Sequence, residues 1–481
     1  MNNAIYKIIA YVGLIIPPIM CNAQRMVEII DCYCNTLDGV TVEKMCFSNT
    51  FTSISLCIDS MSSMPVNDLR HIYATDDNGK RYPLIKNDIC DTTIMKKFGP
   101  KHVVLEFAPL PVNTQCVDVI TSGGRGLYGL HDSSSELSIP NQHETVDPNE
   151  VAEDLFMQGT AKISGHIDIQ QPQEIYCIVS SIIQPHRKAY KCTIEPNGDF
   201  SADIELLSPV WAALSSDSLG MNHIAYFYVR PGEQLEIKLG KIGEENDYNN
   251  DSGLPTYSGL MNNYIRQGTL NYRELSNEVV SNSIHGYIDH KLREQLRLVD
   301  YLGCRHNLSP YEILLWKNQL KLIYGEWHIT YMINERVNGK ASKDSENYSF
   351  LCNLSPKDPT YMILPSFSLF IHQISRLNLF IEIHDSLIKQ DVEVGSTNFI
   401  EREFASYNQA LNQRLGSEGI SYIMQGIASE RILDQNYHKS FDEYKEVYDV
   451  LANKLNHSYF RNCLQANFNI EAQSYYGNLS E

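Results

Sequence analysis

The chain has 481 residues, 43% hydrophobic and 20% charged, an ordinary globular composition that excludes the disordered, collagenous and membrane-filling classes. Asp and Glu outnumber Lys and Arg by 58 to 39, a formal charge of −19, so the surface field repels a phosphate backbone and argues against a nucleic-acid partner. The length predicts about three domains at roughly 100–200 residues each.

Residues 1–23 read as a cleaved secretory signal. Lys7 precedes the apolar run Ile8–Ile16, Pro17-Pro18 ends it, and Cys21-Asn22-Ala23 supplies small residues before Gln24. The run is shorter than the roughly 20 residues that span a bilayer. A lipid anchor on Cys21 is the alternative, although Pro18-Ile19-Met20 lacks the Leu and the small residue of a lipobox. No later stretch reaches about 18 apolar residues, so no transmembrane segment is expected after signal removal.

From 24 to 140 short apolar and β-branched runs alternate with polar turn clusters. Val27–Ile30, Ser53–Ile58 and His102–Phe107 are predicted strands and Asp76-Asp77-Asn78-Gly79 a turn, which together predict a β-sandwich-like domain. Residues 141–155 follow as a polar linker. A second small β domain is predicted over 156–245, with strands at Ala161–Ile167, Ile175–Val179 and Ala225–Val229 and turns at Pro196–Asp199 and Arg230–Glu233. A loop over Gly243–Gly259 ends the β pattern. From 256 to 481 apolar residues recur at three- and four-residue steps. Leu292, Leu296, Val299 form one stripe, Leu320, Ile323, Trp327, Tyr331 a second, Phe367, Phe370, Ile371, Ile374 a third, and Phe441, Tyr444, Tyr448, Leu451, Leu455 a fourth. The predicted class is α+β: two β-sandwich-like domains followed by an α-helical domain.

Of twelve cysteines, eleven remain after signal removal, an odd number scattered over the chain and unlike the framework of a small disulfide-rich domain. No CxxC occurs. Cys32-Tyr33-Cys34 is the nearest approach to a redox pair, if a turn brings the two thiols together; ordinary half-buried thiols are the alternative. Cys46 and Cys57 flank a predicted hairpin and form a second candidate pair. The fifteen histidines are scattered singly, with no HExxH and no C-x2-C, so no metal site and no cofactor are predicted. His328, His372 and His384 lie in helical stretches as core or surface residues. Asp76–Gly79 lacks the alternating oxygen ligands of a calcium loop, and Ser122-Gly123-Gly124-Arg125-Gly126 lacks the Lys-Ser/Thr of a phosphate loop. Acid pairs such as Glu244-Glu245 and Asp442-Glu443 read as solvated surface, and no catalytic residue is assigned. The 29 tyrosines suit packing, or a stacking surface for sugars.

Three groups of segments carry a likeness to a known family. The first comprises Asp76-Asp77-Asn78-Gly79-Lys80-Arg81-Tyr82-Pro83-Leu84, Leu105-Glu106-Phe107-Ala108-Pro109-Leu110-Pro111 and Val117-Asp118-Val119-Ile120. The second comprises Ile163–Ile167, Ile194–Phe200 and Phe227–Glu233, and the third is Ser355-Pro356-Lys357-Asp358-Pro359-Thr360-Tyr361. In this order they resemble the N-terminal and helical regions of secreted thiol–disulfide interchange proteins, of the thioredoxin family, from anaerobic gut-type Gram-negative bacteria. The second group is similar to a small β domain of unknown function found ahead of their thioredoxin domains. The resemblance implies a periplasmic or outer-membrane-associated protein. The family's Trp-Cys-x-x-Cys domain has no counterpart in these 481 residues, so its oxidoreductase activity is not carried over.

The expected function is therefore non-catalytic: a secreted envelope binding or scaffold protein beside a thiol–disulfide system, with a thioredoxin-like protein as partner. The alternatives are a glycan- or peptide-binding module and a thiol oxidoreductase using Cys32 and Cys34.

Overall fold

The structure, a computed structural model, describes residues 25–37, 39–59, 72–87, 101–121, 126–135, 158–167, 174–179, 188–217, 223–238, 247–250, 284–305, 308–337, 348–354, 358–374, 376–390, 393–415, 424–426, 440–456 and scattered positions between 458 and 472. The expected signal, Cys21, the linker 141–155 and Ser122–Arg125 lie outside the described residues. The chain divides into two compact units, Met1–Ile139 and Pro140–Glu481.

The first unit is built from β1 (Arg25–Val27), β2 (Ile30–Asn35), β3 (Val40–Phe47), β4 (Thr52–Ile58), β5 (Ile72–Thr75), β6 (Arg81–Asn87), β7 (Lys101–Phe107), β8 (Val117–Thr121) and β9 (Gly126–Asp132). They form one sheet in the order β1-β3-β4-β7-β6-β5-β8-β9-β2. The alternation that predicted strands also sets their faces: in β4, Ile54, Leu56 and Ile58 are buried while Ser53, Ser55 and Cys57 face the other way. The sheet curls nearly into a barrel, with β2 returning to touch β3. Phe47, Leu56, Leu105 and Phe107 from one half thereby join Ile72, Val119, Leu127 and Leu130 from the other in a single core.

The run Val27–Ile30 is not one strand. The chain breaks at Glu28-Ile29, leaving Ile29 72% exposed, so that β1 pairs with β3 and β2 with β9 at opposite ends of the sheet order. The acids of the turn at Asp76 accept hydrogen bonds from the turn itself and from the segment before β8. Asp76 accepts the N–H groups of Asn78 and Lys80, both at 3.0 Å, and the Tyr82 hydroxyl at 2.8 Å, while Asp77 accepts the N–H groups of Gln115 and Cys116 at 2.8 Å. Asp118 is likewise an internal latch, accepting from Thr75 and from the Gly129 N–H.

In the second unit two sheets face each other. One has the order β13-β14-β10-β17-β18, from β10 (Gly159–His166), β13 (Thr193–Ile194), β14 (Asp199–Leu206), β17 (Gln234–Lys238) and β18 (Asp247–Asn250). The other has the order β12-β11-β15-β16, from β11 (Tyr176–Val179), β12 (Lys188–Lys191), β15 (Val210–Ser215) and β16 (His223–Val229). Ile163, Phe200, Ile204 and Ile237 of the first meet Cys177, Leu214, Phe227 and Val229 of the second in one core, the arrangement of a sandwich. The expected loop Gly243–Gly259 contains β18, which pairs antiparallel with β17. Its sequence, Asp-Tyr-Asn-Asn, has none of the apolar alternation of a half-buried strand, so pairing with an edge rather than propensity defines it.

Among the described residues, the helices of the second unit include α1 (Ile284–Arg305), α2 (Pro310–Val337), α3 (Pro365–Ile374), α4 (Asn378–Ile388), α5 (Thr397–Leu415) and α6 (Phe441–Lys454). The expected apolar stripes supply their buried faces, including Leu292 and Val299, Leu320 and Ile323, Phe367, Phe370 and Ile374, and Tyr444 and Leu451. Pro310 and Pro365 each open a helix, where the absent N–H has no intrahelical partner to lose. Ser309 and Glu312 form a reciprocal cap on α2. The Ser309 N–H donates to Glu312 Oε2 at 2.8 Å, and the Glu312 N–H donates to Ser309 Oγ at 3.3 Å. A short 3-10 helix, Pro359–Ile363, is tied to α2 by Asn318 Nδ2, which donates to Asp358 Oδ2 at 2.7 Å and to Thr360 Oγ1 at 2.8 Å. Among the described residues no helix is long and apolar enough to cross a membrane.

Candidate functional site

The sequence-predicted redox pair lies in a strand, not a turn. Cys32 and Cys34 occupy β2, opposite Leu130 and Tyr128 of β9, and at i and i+2 they share one face of the strand. Cys32 packs against the core, and its Sγ donates to the carbonyls of Cys34 at 3.2 Å and Tyr128 at 3.5 Å. Burial, with the neighbouring Cys34 and Asp118 adding to it, pushes the Cys32 thiol up to about 12. That thiol stays protonated at neutral pH, whereas exchange chemistry needs the thiolate. Cys46 and Cys57 are not joined: the β3–β4 register sets Cys46 against Ser53 and Cys57 against Thr41.

The outer face of the five-stranded sheet offers a different kind of site. Outward positions on β10 alternate with Ala161 and Ile163 of the core, so Lys162, Ser164 and His166 point away from the apolar interior. Register lines them up with polar residues on both neighbouring strands. Ser164 lies between Ser201 and Glu236, Lys162 between Asp203 and Gln234, and His166 opposite Asp199. These side chains border an open concavity of about 410 Å³, lined by Lys162, Ser164, His166, Asp199, Ser201 and Glu236 among others. That volume falls within the roughly 300–1,000 Å³ of small-ligand sites.

A tight turn fixes one wall. Gly198 takes φ +91°, a left-handed conformation open to glycine, and a Cβ there would sit 2.6 Å from the Ile167 carbonyl. The turn sets Asp199 to accept from His166 Nδ1 at 2.8 Å and from Asn197 Nδ2 at 2.7 Å. The bond from His166, then that from Asn197, holds the Asp199 carboxyl below its usual range. Gly165 forms part of the concavity's floor, where a Cβ would lie 2.2 Å from the Ile237 carbonyl and 2.6 Å from the Phe200 ring. Among the residues lining the concavity, three acids, Glu195, Asp199 and Glu236, accompany Lys162, and Asp203 lies opposite Lys162 in register, so the lining favours donor-rich or cationic groups.

The helices bury a third cluster. His285 Nδ1 and His328 Nδ1 lie 2.6 Å apart, His328 Nε2 is 3.1 Å from Asp289 Oδ1, and the His328 ring stacks on Phe350. Burial lowers the pKa of both imidazoles, keeping them neutral near pH 7; for His328 the adjacent His285 adds to the effect. His328 is thus a core histidine, as its apolar helical setting predicts. Side-chain atoms of Glu43, Cys57 and His102 that could hold a metal ion also converge, on the first unit, all within 4.8 Å of one another. Sequence inspection missed this group because its members belong to three different strands and share no local spacing.

No protein-family model matches the chain, and no curated protein matches it.

Proposed function

We propose that this chain is a non-catalytic binding or scaffold protein of the bacterial cell envelope, exported to the periplasm or outer membrane, which engages a thioredoxin-like partner. The observation that carries the binding role is the polar concavity on the second sandwich, where side chains of three paired strands converge without an apolar cover. The thioredoxin-like partner and the envelope location rest on the sequence motifs and the signal pattern. A thiol oxidoreductase working through Cys32 and Cys34 draws no support from thiols packed along a strand. The test is association of the purified full chain with envelope thioredoxin-like proteins, read by calorimetry, together with their insulin-reduction rate. Binding is expected, and Ser164→Arg, which fills the concavity, should abolish it. No association and an unchanged rate would overturn the proposal.

A peptide or glycan held in the same concavity is the second reading, favoured by its volume. A thermal-shift screen would support it if such a ligand raised the melting temperature of the wild type but not of Ser164→Arg.

A further inference from the structure

We propose that Glu43, Cys57 and His102 form a zinc-binding site on the outer face of the first unit. It is independent of the partner proposed above and lies on a different unit. The three residues come from three strands adjacent in the sheet, β3, β4 and β7. Cys57 and His102 are direct register partners, and both point away from the core, since Leu56, Ile58 and Val103 beside them are buried. Glu43 occupies an irregularity in β3: Val42 pairs with Leu56 and Lys44 with Ser55, leaving Glu43 as the extra residue between them.

This geometry concentrates ligands. The flanking strands stand about 9.6 Å apart, twice the strand spacing, with the short Cys57 side chain midway. Glu43 and His102 bridge that gap from either side, and Glu43 Oε2 lies 2.9 Å from His102 Nδ1. Candidate ligand atoms of all three residues fall within 4.8 Å of one another. A tetrahedral zinc with bonds of about 2.0–2.3 Å separates its ligand atoms by about 3.3–3.6 Å. Small rotations of two long, exposed side chains reach that spacing. A carboxylate, an imidazole and a thiolate form a mixed set that suits zinc; calcium and magnesium take oxygen ligands. Binding displaces the thiol proton of Cys57 to solvent and engages the neutral imidazole. Glu43 and His102 are exposed, so the fourth tetrahedral position is open to water.

The test is titration of the reduced full chain with Co2+, without air and with a phosphine as reductant, followed by Zn2+. Expected are a thiolate-to-cobalt charge-transfer band and the visible bands of a tetrahedral site, saturating at one equivalent and bleached by zinc. Cys57→Ser should remove the charge-transfer band while Cys46→Ser keeps it. Losing a ligand should cost at least the roughly 10–100-fold in affinity that losing an outer-shell partner costs, so His102→Ala and Glu43→Gln should each weaken zinc competition by more than ten-fold. All four changes lie away from the core, and far-ultraviolet circular dichroism of each variant should match wild type. Absence of the charge-transfer band, its survival in Cys57→Ser, or an unchanged zinc affinity in His102→Ala or Glu43→Gln would overturn the proposal.

Discussion

Cys57 and Cys177 occupy comparable places in the two β units, each in a strand paired on both sides. Cys57 lies between β3 and β7, and Cys177 between β12 and β15. Their environments are opposite because strand side chains alternate. Cys57 falls on the outer face, within reach of a carboxylate and an imidazole. Cys177 falls on the inner face and is fully buried, and that burial, with Cys192 beside it, drives its thiol well above the usual range. The same residue type becomes a prospective ligand in one unit and a packing atom in the other, according to which face of the sheet it lies on.

The largest effect that would break this comparison comes from placing a charge at both positions. Cys177→Asp puts an unpaired carboxylate among Leu214, Phe227 and Ile237 and should destabilise the protein by about 3–5 kcal/mol, whereas Cys57→Asp, on the outer face beside Glu43 and His102, should cost about 1 kcal/mol. Urea midpoints measure both; equal losses would sink the face argument. A smaller effect contrasts neighbours on β10. Gly165→Ala forces a methyl against the Ile237 carbonyl and the Phe200 ring, for a loss of about 1–3 kcal/mol, while Ser164→Thr on the polar face should be nearly silent. Similar midpoints for the two variants would show that the floor of the concavity yields to the added methyl.

The smallest effect concerns pH in the helical region, where burial acts on ionisable groups of both signs. For His285 and His328 the folded pKa lies below the usual 6.5, so their contribution to stability is complete above pH 6.5 and is lost as pH falls. Glu326 behaves oppositely: burial raises it from 4.5 to about 7, so its contribution is complete below pH 4.5 and is lost as pH rises toward 7. Between these limits the two contributions oppose each other. Glu326→Gln should therefore lose more melting temperature between pH 7 and pH 5 than wild type, and His328→Gln less. Parallel profiles for all three proteins would refute this opposition.

Much of the fold was legible because burial on one face writes a period into the sequence. Thr52–Ile58 and Gly159–His166 show alternation, and α3 and α6 show apolar steps of three and four. Where an element is defined by its partner, the period is absent: polar β18 exists only as an addition to β17, and β1 and β2 separate because one segment serves both ends of a curled sheet. Candidate sites were less legible still. His166 and Asp199, like Glu43, Cys57 and His102, meet through strand register, and register depends on the packing of whole sheets rather than on spacing along the chain.

The pairing of β10 with β17 has a consequence for how the second unit is assembled. These strands run parallel within a largely antiparallel sheet, and Lys162 meets Gln234 only after the chain has passed through all four strands of the facing sheet. One flank of β10 is thus satisfied late, by a segment that emerges long after it, while β14 covers the other flank much earlier. Until β17 arrives, the strand that carries the buried Ala161 and Ile163 has one unpaired edge, and a pairing that closes so far along the chain leaves that edge open to mispairing.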